Sequence, residues 1–433
     1  MVGQLQTGVI LTSESSNKYK IVSFLGAGGQ GEVYDVECNG QHYALKWYFK
    51  HMATKEQKAI LDNLVTKGSP DHSFLWPQDL IYQSDGEPFG YIMTLRPANY
   101  KSIVDMMKRR AEPSFYALCR AAYNLACGYE KLHAMGYSYR DISFGNVFFD
   151  PSNGDVLICD NDNVAPNKSS GSSVYGTPRF MAPEIVIGKS KPSRNTDLFS
   201  LAVLLFYMFM MGHPLEGKLE ADIKCMDIHA MNKLYGTHPL FVYDPEDMSN
   251  RPVRGYQDNT LIYWDLYPQV IRDLFSESFT IGLQSPNKRI TEKKWMEVCA
   301  NLMSCIVECS NCGAEVFFDE SKEEQDIDHL CWNCQNPVHM PASLIIGKSR
   351  ILLQKDADLF SHHIYADYDM NTRVGKVTQN PTNPDIWGIL NESKDNWTYI
   401  RPDGSQTVVP VGMNAAIAKE VKIYFGQMTG EFV

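Results

Sequence analysis

The chain has 433 residues, too many for one ordinary core, and its 40 basic against 51 acidic side chains leave a formal charge of −11, which predicts two to four domains and argues against a general nucleic-acid or anionic-membrane surface. The longest apolar run, Leu198 to Met211, is 14 residues, short of the ~20 that span a bilayer, so it reads as a buried helix. Met1 to Gly8 lacks the basic start and apolar centre of a secretory signal, and only four of the 11 cysteines are grouped, so the expected setting is a reducing cytoplasm.

Residues 1–18 read as a polar lead-in. From Tyr19 the chain alternates as a strand and then runs Gly26-Ala27-Gly28-Gly29-Gln30-Gly31-Glu32-Val33. A dinucleotide fold would follow such glycines with a helix. Residues 32–37 are strand-like instead, which predicts a hairpin whose backbone can press close to phosphates. His42 to Phe49 is a second strand carrying Lys46 between Leu45 and Trp47, an amine that needs a partner. The next helical stretch, Ala53 to Lys67, offers Glu56 as that partner, with Gln57 fitting almost as well. Ile81-Tyr82 and Gly90 to Leu95 read as two further strands, with Met93 in the last of them.

Ser114 to Met135 has helical spacing and delivers the chain to Arg140-Asp141, with Asn146 five residues after Asp141. Two short strands, 147–149 and 156–159, lead to Asp160-Asn161-Asp162. A Ser-rich segment, 167–173, then runs into Gly176-Thr-Pro-Arg-Phe-Met-Ala-Pro-Glu184. In this order the motifs resemble those of the eukaryotic-type (Hanks-type) Ser/Thr protein kinases, over about residues 19–303.

That resemblance implies a bilobal α+β fold, ATP with Mg2+ (or Mn2+), and a protein substrate. It implies that Gly26, Ala27, Gly28, Gly31 and Val33 cover the nucleotide, that Met93 sits near the hinge against adenine, and that Lys46 touches the inner phosphates while paired with Glu56. Asp141 would orient the attacking hydroxyl and accept its proton. Asn146 and Asp160 would hold magnesium, with Asp162 as the true ligand or a second one. Glu184 would pair with Arg289, and Asp197 would brace the catalytic loop. Arg140 could receive a phosphate added at Ser169, Ser170, Ser172, Ser173 or Thr177.

Three departures stand out: Tyr139 replaces a histidine, Ser143 a lysine, and Asn161-Asp162 a Phe-Gly pair. They favour a rival reading, a pseudokinase scaffold, which the retained Lys46, Asp141, Asn146 and Asp160 oppose; a third reading keeps the nucleotide site but changes the acceptor to a small molecule or transfers the nucleotidyl group.

Cys309-Ser-Asn-Cys312 and Cys331-Trp-Asn-Cys334 form two CxxC knuckles, the ligand spacing of a closed, structural four-thiolate Zn2+ site. The intervening run, 319–328, is acidic, so no nucleic acid is expected there. Beyond Ser343, short β-rich runs (350–354, 360–365, 374–377, 386–390, 397–400, 421–425) predict a small β-sandwich. Its end is distantly similar to a forkhead-associated domain, although Lys376 follows Gly375 where that family keeps an arginine and its Ser-x-x-His pair is missing. The expected domains are 1–18, a kinase domain 19–303 (lobes 19–96 and 97–303), a zinc ribbon 304–340 and a β domain 341–433. The stretch 212–266 reads as loops with short helices. The whole is similar to bacterial kinases linked to tellurite-resistance-type systems, and that likeness implies a von Willebrand A-type protein and a metal-dependent phosphatase as partners.

Overall fold

A computed structural model describes residues 3–84, 86–167, 176–325, 327–365 and 367–433. The chain divides into two compact units, one of residues 1–265 with 271–297 and one of residues 266–270 with 298–433.

The first unit has a sheet lobe and a helical lobe. Strands β1 (Ile10–Thr12), β2 (Lys18–Ala27), β3 (Gly31–Cys38), β4 (Gln41–Tyr48), β5 (Asp79–Ile81) and β6 (Gly90–Thr94) form one antiparallel sheet in the order β1-β2-β3-β4-β6-β5. Alternation explains it: Ile21, Tyr34, Val36, Leu45 and Ile92 fill one buried cluster, while Ala44, Tyr48, Tyr91 and Met93 fill another. The predicted glycine-rich hairpin joins β2 to β3, closed by the Gly28 N–H on the Gly31 carbonyl at 2.8 Å. Gly31 is required by contact, because a Cβ there would lie 2.2 Å from the Trp47 carbonyl oxygen. Helix α1 (Lys55–Lys67) starts at Thr54, whose side chain accepts from the Gln57 N–H, and stops at Gly68 with φ 76°, a start and stop that follow capping chemistry.

The helical lobe is built on α2 (Phe115–Ala134), capped by Ser114, and α3 (Arg194–Met210). Every residue of α3 from Thr196 to Met210 is buried, so the apolar run is a core helix. No helix among the described residues is long and apolar enough to cross a membrane. Short helices at Lys218–Ala221 and Ile228–Asn232 occupy the long stretch after α3. Helix α4 (Glu292–Ser304) contributes its first residues to this unit and its last to the other.

In the second unit, strands Ile306–Glu308 and Glu315–Phe317 pair beside the cysteine knuckles. Further on, Ser349–Leu352, Ser343–Ile346, Thr429–Phe432, Lys422–Tyr424, Trp397–Ile400 and Gln406–Val409 make one sheet in that spatial order, and Asp358–Phe360, Arg373–Gln379, Trp387–Asn391 and Asn414–Ala416 make a second. Residues of both sheets, Leu344, Ile389, Trp397 and Ile423 among them, share one buried core. The strand expected over 360–365 is instead a helical turn, Ser361–Ile364, after a strand that ends at Phe360. The His363 ring Nδ1 accepts the Phe360 N–H at 2.9 Å and so caps the turn at the last paired residue of the strand.

Candidate active site and thiolate cluster

Lys46 lies near the end of β4, almost fully buried. A buried ammonium must be paired, and its Nζ donates to Gln30 Oε1 at 2.7 Å, to Asp162 Oδ2 and Oδ1 at 2.9 and 3.1 Å, and to Asp160 Oδ1 at 3.4 Å. Burial alone would lower its pKa, but Asp162 and then Asp160 outweigh that and hold it raised. The expected partner, Glu56, does not take part. It sits exposed in the first turn of α1, its carboxyl held low by its own backbone N–H and the Thr54 side chain. The phase of α1 turns Gln57 inward instead, and its amide donates to the Tyr48 hydroxyl and to the Asp162 carbonyl, both at 3.2 Å.

Asp160 and Asp162 occupy different environments. Asp160 has φ 54° in the left-handed region, a costly conformation for this residue type and one that clusters at functional sites. Its side chain is 43% exposed, and loss of hydration, opposed by Lys46 and reinforced by Asp162, raises its carboxyl above the usual range. Asp162 is only 1% exposed. Lys46, the Tyr48 hydroxyl and the Tyr91 hydroxyl at 3.4 Å all donate to its carboxylate. Asp162, expected as the magnesium ligand or a second one, thus has both oxygens engaged and enclosed, whereas Asp160 keeps a carboxylate exposed. Between them Asn161 is fully buried, donating to the Leu75 and Ile158 carbonyls at 2.9 and 3.0 Å.

The Asn146 amide donates to the Asp141 carbonyl at 2.9 Å and to Asp141 Oδ2 at 3.1 Å, and Thr177 Oγ1 donates to Asp141 Oδ1 at 2.7 Å. The Asn146 carbonyl accepts from the N–H of Cys159, the residue before Asp160, at 2.9 Å. Asn146 and Asp160 are thus held on neighbouring backbone. Tyr139 strengthens the same link, its hydroxyl donating to the Cys159 carbonyl. Below the loop, Asp197 accepts the Tyr139 and Arg140 N–H groups at 2.6 and 2.9 Å and contacts His133 Nε2 at 3.0 Å. The other ring nitrogen of His133 meets Glu292, which Arg194 also holds at 2.7 Å. The two carboxylates overcome burial and push His133 up to about 9, while His133 and Arg194 draw Glu292 down to about 2. Glu184 and Arg289 form the expected bidentate pair, both contacts at 2.8 Å.

Of the residues expected to cover a nucleotide, Gly26 and Ala27 end β2, Gly28 lies in the turn, and Gly31 and Val33 open β3. Val33 packs with Ala44, Met93 and Leu157 in one apolar cluster. Thr177, an expected phosphate acceptor, has its hydroxyl committed to Asp141. The expected acceptors Ser169, Ser170, Ser172 and Ser173 lie outside the described residues. The Arg140 guanidinium contacts the Pro166 carbonyl at 3.3 Å and Ser138 Oγ at 3.4 Å. Gln30 and Tyr48 are site residues that the motif pattern does not single out, whereas Gln57, offered as a partner of Lys46, holds the Tyr48 hydroxyl and the Asp162 carbonyl instead.

In the second unit, Cys309, Cys312, Cys331 and Cys334 bring their sulfurs within 4.8 Å of one another. The pairs Cys309/Cys334 and Cys312/Cys331 are 3.6 and 3.5 Å apart, too long for a disulfide and near the ~3.8 Å edge of a tetrahedron with Zn–S of about 2.3 Å. Hydrogen bonds from the Asn336 N–H and the Asn311 side chain hold the Cys334 thiol below its usual value, while burial pushes that of Cys331 up. The donor set fits Zn2+.

The family model described as the protein kinase domain matches residues 19–299. The chain is 29% identical over 211 residues to a probable serine/threonine-protein kinase of Zea mays, covering 47% of this chain and 33% of that protein. It is 27% identical over 226 residues to protein kinase C delta type of Rattus norvegicus, covering 48% and 32%, and 31% identical over 223 residues to protein kinase C-like 1 of Candida albicans, covering 47% and 19%. It thus spans a third or less of the length of these curated relatives.

Proposed function

The chain belongs to the protein kinase domain family, and on that premise we propose that it is an ATP- and Mg2+- (or Mn2+-) dependent serine/threonine protein kinase that transfers the γ-phosphoryl group to protein hydroxyls. The observation that carries this reading is the gathering of Lys46 on Asp160, of Asn146 on Asp141, and of the two pairs on neighbouring backbone through the Cys159 N–H and the Asn146 carbonyl. Asp141 Oδ atoms stand ready to orient a substrate hydroxyl and take its proton, held in place by Asn146 and Thr177. Lys46 supplies positive charge to phosphate oxygens, and Gln30 must give up its 2.7 Å contact for them to approach. The apolar cluster of Val33, Ala44, Met93 and Leu157 suits an adenine ring. Asn146 and Asp160 are the residues that would hold the metal, and Glu56 has no part in the site. When bound, that metal neutralises developing phosphate charge.

The second reading, a scaffold without transfer, draws on Ser143, which is buried where the resemblance has a lysine. Tyr139 and Asn161 weigh less for it, since each makes hydrogen bonds that secure the site. Incubating the full chain and a protein acceptor with Mg2+ and labelled ATP separates the readings. The kinase predicts γ-label on protein that Asp141→Ala abolishes. No label supports the scaffold, and label from the α position supports nucleotide transfer.

Around this core we assign a zinc ribbon to 304–340, supported by the four sulfurs, and a β-sandwich of forkhead-associated type to 341–433, supported by two sheets on one core. Metal analysis giving less than about half an equivalent of zinc would count against the ribbon. Autophosphorylation among Ser169 to Ser173, a cytoplasmic location, a bacterial tellurite-resistance-type setting, and partnership with a von Willebrand A-type protein and a metal-dependent phosphatase complete the proposal on resemblance.

A further inference from the structure

We propose that Asp162, and not a carboxylate on α1, is the positioning residue that holds Lys46 for phosphoryl transfer, so that the lysine anchor travels with the metal-binding segment and needs no movement of the helix. The inference rests on the kinase reading of the same cleft. A lysine that must meet phosphates has to be held by a counter-charge that does not itself bind the nucleotide or metal. Two carboxylates touch Lys46. Asp160 does so at 3.4 Å with its side chain 43% exposed to the cleft. Asp162 does so at 2.9 Å from full enclosure, fixed on its far side by the Tyr48 and Tyr91 hydroxyls. The environments divide the work: one carboxylate is free to leave Lys46 for a metal, and the other cannot.

Helix α1 contributes no charge here. Glu56 is exposed in its first turn, and the inward position is Gln57, a neutral amide that donates to Tyr48 and to the Asp162 backbone. Gln57 therefore braces Asp162 instead of competing with it. Asp160 caps the single helical turn Asn161–Asn163 and Asp162 is its middle residue. Displacing this turn would remove the metal carboxylate and the lysine anchor together, whereas displacing α1 would remove only the brace.

The test compares full-length wild type, Asp162→Asn, Glu56→Ala and the relocated-charge variant Asp162→Asn/Gln57→Glu. It reads kcat and KM for ATP, the Kd of a fluorescent ATP analogue without turnover, and thermal unfolding. Gln57 and Asp162 share the Tyr48 hydroxyl, so a glutamate at 57 can return the charge to the same neighbourhood. Asp162→Asn is expected to lower kcat/KM by about 30-fold or more and to weaken the analogue. Glu56→Ala should stay within about twofold, and Gln57→Glu should recover most of the loss. A Glu56→Ala loss equal to that of Asp162→Asn would overturn the proposal, as would an Asp162→Asn protein with wild-type kinetics. Should Asp162→Asn unfold, Tyr48→Phe decides: it removes one donor to Asp162 and should raise KM for ATP about threefold, and an unchanged KM would refute the proposal. If wild type transfers no phosphate, the kinase reading fails while the analogue Kd series still tests the anchor.

Discussion

Two regions of this chain bury their polar atoms for different ends. In the first unit, Lys46, Asp162, Asp197, His133 and Glu292 are all enclosed, and each meets an opposite charge, with Asp197 also holding the Arg140 N–H. In the second, the principal core is apolar, its buried polar side chains such as Asn391 and Ser393 are neutral and tie loops to strands, and four sulfurs cluster apart from it. Buried ion pairs add little net stability over apolar packing, yet removing one partner is costly. The first unit therefore gains geometry from its charges, whereas the second gains stability from its apolar core. Substitutions should separate along that line.

The largest effect is expected from metal withdrawal. Structural zinc contributes about 10–16 kcal/mol of apparent binding energy, so chelation should unfold the segment around Cys309 to Cys334, seen as lost hydrogen-exchange protection at Val307 and Val316, with the ATP-analogue Kd unchanged. A shifted Kd would break the contrast. Next, Asp141→Asn should lower kcat by about 10³-fold with an unaltered unfolding midpoint in denaturant. Loss of stability instead would mean that Asp141 is structural. Third, Trp397→Ala, which removes a fully buried ring set 5.0 Å from Phe425, should cost about 3–5 kcal/mol of stability and leave kcat intact.

The smallest effect concerns pH. His133 rises from 6.5 to about 9 on folding, so its contribution is complete below 6.5 and is lost as pH climbs through about 9. It amounts to roughly 3 kcal/mol. Glu292 falls from 4.5 to about 2, so its contribution is complete above 4.5 and is lost as pH drops through about 2. Stability from this network is therefore full between 4.5 and 6.5. Denaturant midpoints measured from pH 6 to pH 9.5 should fall in wild type and lose that component in His133→Asn.

Much of the catalytic unit was legible because its motifs are short and local. The glycine hairpin, the Lys46 strand, Asp141 with Asn146, and the Glu184/Arg289 and Asp197 braces follow from residue type and order. The absence of Glu56 from Lys46 was not, because it depends on the phase of α1 about its own axis: one residue of rotation turns Gln57 inward, to the Tyr48 hydroxyl and the Asp162 carbonyl, and leaves Glu56 exposed. Asp162 was visible as a carboxylate, but its choice between metal and lysine is a matter of enclosure by Tyr48 and Tyr91, which comes from strand pairing across β4 and β6. In the second unit, Trp397–Ile400 was read as a strand from its aromatic and β-branched residues. Gln406–Val409, Asn414–Ala416 and Thr429–Phe432 escaped, being short and mostly exposed or glycine-containing, with little alternation to read. Phe360 to Tyr365 was misread because a histidine hydrogen bond to backbone leaves no periodicity.

The most direct test of the central claim is a crystal structure of the full chain with Mg2+ and a non-hydrolysable ATP analogue. The account predicts metal on Asn146 and Asp160, phosphate oxygens within hydrogen-bond reach of Lys46 in place of Gln30, and Asp162 still on Lys46 with Glu56 in solvent. A cleft that admits no nucleotide, or a bound nucleotide with Asp162 on the metal and Glu56 turned in to Lys46, would contradict it.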